Sequence, residues 1–132
     1  QKIAVATSYI EEVDQKLVEV LGAAGHEVVL IRGMGILKSI HMGDVSPEAA
    51  YRFARQTVAD AEGADGCLLS CGNWRTLESV APLEAEFGIP VVTSNQAGIW
   101  QCLNMAGVST EEVTGGGRLF AAAGHSGRGN KP

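Results

Sequence analysis

Short apolar runs alternate with stretches of helical periodicity along the first hundred residues of the chain. The runs at 3–7, 28–31, 67–70 and 91–94 are brief, continuous and partly β-branched. That is the pattern of strands buried on both faces of a parallel sheet. Between the first two, EEVDQKLVEVLGAAG places Val13, Leu17, Val20, Leu21 and Ala24 on one helical face. Gly25 then supplies the left-handed residue that ends such a helix. A second helix is predicted from SPEAA, with Ser46 as its cap and Pro47 in its first turn. Its inner face continues through Tyr51, Ala54 and Val58, with Ala50 and Phe53 alongside. Pro82 interrupts the third helical stretch, because proline inside a helix removes a backbone bond. The pattern there predicts a turn over 75–79 and a helix over 82–87 closed by Gly88. A last helix is predicted over 96–106, ending at Gly107.

Strands alternating with helices imply right-handed crossovers and a parallel sheet covered on both faces. The expected fold is α/β and flavodoxin-like, with four strands in the order 2-1-3-4. Residues 1–122 form this domain. The stretch from Gly115, GGGRLFAAAGHSGRGNKP, is rich in glycine. Leu119 and Phe120 are its candidates for docking, and 123–132 is expected to be a flexible tail.

Composition narrows the function. A length of 132 residues suits one domain. With 45% hydrophobic and 19% charged residues it is an ordinary globular chain. The net charge of −5 and the lack of any Lys/Arg run argue against nucleic-acid binding. No apolar run approaches the roughly 18 residues of a membrane span, and the start does not read as a signal peptide. The three cysteines follow neither a CxxC nor a zinc-ligand spacing, so reduced thiols in the cytoplasm are expected and no metal site is. GMGILKS lacks the third glycine of the dinucleotide fingerprint, GAAGHE ends a helix rather than opening one, and GxxxxGK[ST] does not occur. No nucleotide cofactor is expected. The first strand also lacks the acidic pair of a phospho-acceptor domain. QKIAVAT enters that strand directly, with no initiator Met, which suggests cleavage or an absent upstream segment.

Ligands of open α/β sheets bind beyond the carboxyl ends of the strands. Those ends are Thr7-Ser8-Tyr9, Arg32-Gly33, Ser70-Cys71-Gly72-Asn73 and Ser94-Asn95-Gln96. They are rich in hydroxyls and amides, which suits a carboxylate better than a metal. A thiol at Cys71 would meet the N–H groups of the following turn, which favour its anion. Gly72 lets the chain turn sharply beside a ligand oxygen. Position alone leaves Cys71 either a small buried residue or a reactive thiol. Cys67, within a strand, and Cys102, within a helix, read as packing residues. Tyr9 is placed to donate its phenol to a carboxylate bound over Cys71, with Ser8 and Asn95 in comparable positions. His26, His41 and His125 have no partners at catalytic or ligand spacing. Trp74 and Arg75 allow either a cation–π platform or simple packing of the indole on the sheet.

The segment ADGCLLSCGNWRTLESVAPLEAEFGIPVVTSNQAGIWQCLNMAGV resembles the second half of the aspartate/glutamate racemase superfamily. Its nearest branch is that of the maleate cis–trans isomerases and arylmalonate decarboxylases. The likeness extends upstream through KIAVATSYIEEVDQKLVEVLGAAGHEVVLIRGMGI and GDVSPEAAY, and so covers nearly the whole chain to Val108. It implies a pseudo-symmetric fold of two α/β halves, each supplying one cysteine, with no metal or organic cofactor. By this resemblance Cys71 is the second-half cysteine and a proton donor. Tyr9 holds a substrate carboxylate, and the Gly72 N–H forms part of an oxyanion pocket. Ser8, Ser39 and Asn73 complete the implied substrate-binding positions.

The chain departs from the isomerases at three of these places. Cys71-Gly72-Asn73 replaces Cys-Thr-Asn, with the glycine matching the decarboxylases, while Ser39 stands for an asparagine and Ser8 for a proline. The first half, with its cysteine, is absent. The resemblance therefore implies the C-terminal half of a cofactor-independent isomerase, racemase or decarboxylase of small mono- or dicarboxylates, inactive by itself. Its implied partner is the missing N-terminal half or a second subunit, and a homo-oligomer is expected. The alternatives are a non-catalytic carboxylate-binding or regulatory relative, and a homodimer that builds a cleft from two Cys71 residues.

Overall fold

The computed structural model describes residues 1–110 and 113–121. Four strands, β1 (Lys2–Thr7), β2 (Glu27–Gly33), β3 (Gly66–Ser70) and β4 (Val91–Thr93), form one sheet. All its pairings are parallel and the order is β2-β1-β3-β4, as the sequence predicts. Among the described residues six helices connect and follow the strands: α1 (Glu11–Ala23), α2 (Ser39–Met42), α3 (Pro47–Asp60), α4 (Leu77–Phe87), α5 (Ser94–Met105) and α6 (Gly117–Ala121). None of the described helices is long and apolar enough to cross a membrane. The 123–132 segment read as a tail lies outside the described residues.

The core lies between the sheet and helices α3 and α4. Ala4 and Ala6 of β1 meet Ala50 and Ala54 of α3, all fully buried. Four small side chains let helix and sheet approach closely. Val58, Cys67, Leu69, Val80, Leu83 and Val91 complete the packing. Ser46 caps α3 by accepting the Ala49 N–H at 3.2 Å, with Pro47 in the first turn. Thr93 and Gln96 form a reciprocal capping box at the start of α5. This box explains why α5 begins at Ser94, two residues earlier than periodicity suggests.

Three further expectations are corrected. The apolar stripe of α1 is not a buried face: Val13 is 40% and Val20 65% exposed, and the one buried residue of the helix is Asp14. Helix α1 packs on β2, an edge strand whose own residues are only partly covered. One edge strand is narrower than the stripe it receives. Pro82 does not end the third helical stretch, because α4 runs through it from Leu77 to Phe87. The proline costs about 3 kcal/mol. Burial of Val80 and Leu83, at about 1.5–3 kcal/mol each, offsets it. The stretch around His41, read as loop, contains the short helix α2.

The C-terminal segment is held by a buried carboxylate. Glu84, 7% exposed, accepts the backbone N–H of Val91 at 3.1 Å and that of Arg118 at 3.1 and 3.3 Å. Gln96 donates to the Gly116 carbonyl at 2.6 Å, and the Arg118 guanidinium donates to Gly88 at 2.8 Å. Phe120 is thereby buried and Leu119 half-buried. Glu84→Gln leaves one carboxamide oxygen for two N–H groups and turns an NH2 towards one of them. We expect a loss of about 1–3 kcal/mol in a denaturant titration, with faster hydrogen exchange at Arg118. Unchanged exchange there would show that Glu84 does not anchor α6.

Candidate active site

Two adjacent central strands, β1 and β3, deliver the predicted residues to one edge of the sheet. The last paired rung between them is Thr7–Ser70. Ser8 and Tyr9 leave β1 just beyond it, and Cys71, Gly72 and Asn73 leave β3. Tyr9 is half-buried and Cys71 is 5% exposed. The Tyr9 phenol is pushed above its ordinary value, first by burial. A hydrogen bond with Ser70 acts against that rise, and Cys71 and then Asp14 add to it. Tyr9 and Cys71 therefore share one environment, and the phenol keeps its proton at neutral pH as a donor.

The backbone under Tyr9 is fixed from behind. The Thr7 hydroxyl accepts the Tyr9 N–H at 3.1 Å and donates to the Asp14 carboxylate at 2.6 Å. Burial raises the Asp14 carboxyl, the bond from Thr7 opposes this, and Glu11 adds to the rise. The loop after β2 closes over the same place, with Gly35 N–H donating to the Tyr9 carbonyl at 2.9 Å and Ile36 N–H to that of Ser8 at 3.0 Å. Gly33 has no room for a side chain, since a Cβ there would collide with the Asp14 carboxylate and the Tyr9 carbonyl.

On the other flank, Asn73 donates to the Ser39 hydroxyl at 2.6 Å. This bond ties the turn after β3 to the start of α2. Both residues are exposed, so their remaining donors and acceptors stay available to a ligand. The Gly72 carbonyl accepts from the Asn95 amide at 3.1 Å, which fixes the peptide of the turn. Met42, brought in by α2, places its sulfur 3.5 Å from the Cys71 thiol. Leu37 and Ile40, on either side of Ser39, are 76% and 75% exposed, giving the site an apolar margin.

Sequence reasoning named Ser8, Tyr9, Ser39, Cys71, Gly72 and Asn73, and the fold brings them to the same end of β1 and β3. It missed Met42, Thr7 and Asp14. Met42 reaches the thiol only because α2 forms. For Asp14 the available signal was a carboxylate one helical turn after Ile10, within an otherwise ordinary acidic first turn. Cys67 is a buried strand residue whose thiol burial pushes up to about 12. Cys102 is exposed. His41 pairs with the exposed Asp44 at 3.2 Å. Trp74 is buried edge-on against Phe53, ring centres 6.1 Å apart, which is the packing alternative. Among the described residues, no three His, Cys, Asp or Glu side chains are grouped to hold a metal.

A cavity of about 550 Å³ adjoins the turn on the side facing α5 and α6. Gly72, Asn73 and Asn95 form its polar end, and Ile99, Leu103 and Phe120 contribute apolar wall. Cys71, Tyr9 and Ser39 are not part of that wall. The Cys71 thiol thus lies buried in the core cluster beside this cavity, rather than in its wall.

Residues 1–120 match the arylmalonate decarboxylase family. The chain belongs to this family. It is 32% identical over 120 residues to arylmalonate decarboxylase of Bordetella bronchiseptica, covering 91% of this chain and 50% of that protein. It is 29% identical over 121 residues to maleate isomerase of Nocardia farcinica, covering 91% and 47%. A crystal structure of arylmalonate decarboxylase superposes with a TM-score of 0.82 over 91% of this chain and 53% of that one, at 32% identity. The Nocardia farcinica maleate cis–trans isomerase bound to TRIS superposes with 0.84 over 91% and 48%, at 28% identity. The family fold therefore includes this four-stranded unit, and the chain spans about half the length of the curated relatives it matches.

Proposed function

We propose that this chain is the C-terminal half, carrying Cys71, of a cofactor-independent enzyme. The intact protein would decarboxylate, isomerise or racemise a small mono- or dicarboxylate, with Cys71 as the acid. The observation that carries this reading is the pairing of Cys71, at the end of β3, with the protonated phenol of Tyr9 at the end of β1. Chemistry at a carbon beside a carboxylate passes through an enediolate, whose charge needs fixed donors where it develops. Tyr9 supplies one such donor. The Gly72 N–H supplies a second, and Asn73 with Ser39 orients the remaining carboxylate oxygens. In a decarboxylation the carbon–carbon bond to the departing CO2 breaks and its electron pair enters the enediolate. The Cys71 proton then moves to that carbon, leaving the thiolate. The opposing face of the substrate would meet the half that the relatives carry and this chain does not span. In a racemase or isomerase that half supplies a second cysteine.

Among these reactions, Gly72 favours decarboxylation of an arylmalonate-like diacid over isomerisation of maleate. Glycine there leaves space above the turn that a threonine would fill. The test on this chain is alkylation of Cys71 by iodoacetamide, read by peptide mass, with and without a small dicarboxylate such as malonate or maleate. Cys71 is expected to react faster than Cys67 and to be slowed by the diacid. An alkylation rate that no diacid changes would point instead to a thiol that only packs.

A further inference from the structure

Ser8 is fully buried, and its hydroxyl is among the buried side-chain atoms that have no hydrogen-bond partner. A buried hydroxyl without a partner is costly to the fold, so its presence beside Cys71 calls for a reason. The register supplies one. Parallel pairing aligns Ala6 with Leu69 and Thr7 with Ser70, so the next positions, Ser8 and Cys71, emerge side by side. Side chains alternate across a sheet. Thr7 points to α1, where it meets Asp14. Ser8 accordingly points to the opposite face, where Ala6, Leu69, Met42 and Cys71 share one core cluster.

In this structure the Ser8 hydroxyl makes no hydrogen bond to the neutral Cys71 thiol, which is in any case a weak partner. A thiolate is a full acceptor, and burying it without donors is strongly unfavourable. We propose that the Ser8 hydroxyl is a donor held in reserve for the Cys71 thiolate, a positioning residue that acts on the sulfur rather than on the substrate carboxylate. When Cys71 gives its proton to a substrate carbon, the S–H electron pair stays on sulfur. The Ser8 hydroxyl then rotates about χ1 to donate to that anion from the buried side. The change requires no oxidant or reductant. This inference rests on the reading of Cys71 as a reactive thiol.

Other groups near the sulfur are few. β1 presents Tyr9, with Asp14 of α1 behind it. α2 carries the exposed His41–Asp44 pair, and the turn after β3 carries Arg75, whose charge acts on Glu48 of α3. Towards the core α3 contributes Ala50, Ala54 and the buried Thr57, while α4 contributes Val80, Leu83, the buried Ser79 and the Glu84 carboxylate, which is bound to the Val91 and Arg118 N–H groups.

The test is the pH profile of Cys71 alkylation by iodoacetamide in the full chain, comparing wild type with Ser8→Ala and Ser8→Thr in a Cys102→Ser background. Ser8→Ala is expected to cut the rate about tenfold near pH 7, in proportion to one hydrogen bond to a charged group. The rates should converge at high pH, and Ser8→Thr should restore the wild-type profile. The thermal midpoint of Ser8→Ala should be unchanged or raised, because an orphan polar atom has been removed. An unchanged profile in Ser8→Ala, or a rate lowered equally at every pH, would overturn the assignment while leaving Cys71 reactive. A wild-type Cys71 that titrates like a free cysteine and is not protected by diacids would overturn the functional reading and this inference together.

Discussion

Cys71→Ser is expected to lower turnover of the proposed two-half enzyme by about 10²–10⁴-fold, the span of a lost general acid. Serine keeps the size and the turn but does not release its proton to carbon at neutral pH. The fold should be untouched, since Cys71 contributes only a small side chain to a core otherwise made by Ala4, Ala6, Leu69 and Val80. Circular dichroism should match that of the wild type, and a denaturant titration should show a loss of no more than about 1–3 kcal/mol from the buried hydroxyl. The decisive measurement pairs steady-state rates on arylmalonate and on maleate. A Cys71→Ser protein that keeps more than a tenth of the wild-type rate on either would move the acid to another residue. Substrate affinity should change little, because Tyr9, Gly72, Asn73 and Ser39 are retained.

The largest effect on stability belongs to Trp74→Ala. Trp74 is 1% exposed, packs edge-on against Phe53 of α3 and belongs to the same cluster as Cys71. Deleting a buried indole typically costs about 3–5 kcal/mol, a fall in Tm on the order of 10–20 °C for a domain of this size. Part of the wall beside the turn goes with it, so Cys71 alkylation should also lose its dependence on the folded state. Trp74→Phe separates volume from polarity. The indole N–H has no partner, so phenylalanine keeps the aromatic contact and drops an unsatisfied donor. That variant should lose less than half as much as alanine. Equal losses for Phe and Ala would mean that the N–H is satisfied and that its bond, rather than ring volume, carries the stability.

Strand order, the cap of α3 and the strand-end position of Cys71 were legible because each depends on local patterning. Continuous apolar runs separated by helical periods leave few topologies, and Ser46-Pro47 specifies a helix start in two residues. The α1 stripe and Pro82 were misread for one shared reason. Periodicity reports which side chains are apolar, but the area available to cover them is set by neighbouring elements. Edge strand β2 leaves Val20 in solvent, while β4 and α3, which α4 packs against, bury Val80 and Leu83 well enough to carry a proline inside α4.

The sequence by itself determined the parallel four-stranded architecture, the strand-end position of Cys71 as against the strand and helix positions of Cys67 and Cys102, and the family resemblance of its surroundings. These follow from spacing and residue type, which the chain carries in one dimension. Only the tertiary structure decided that Tyr9 and Cys71 share an environment, that Asn73 is tied to Ser39, and that Met42 lies against the thiol. It also decided that the Ser8 hydroxyl is buried without a partner. Each of these joins segments some 30 to 60 residues apart, or depends on which face of a strand is covered, and both are settled by sheet register and helix packing.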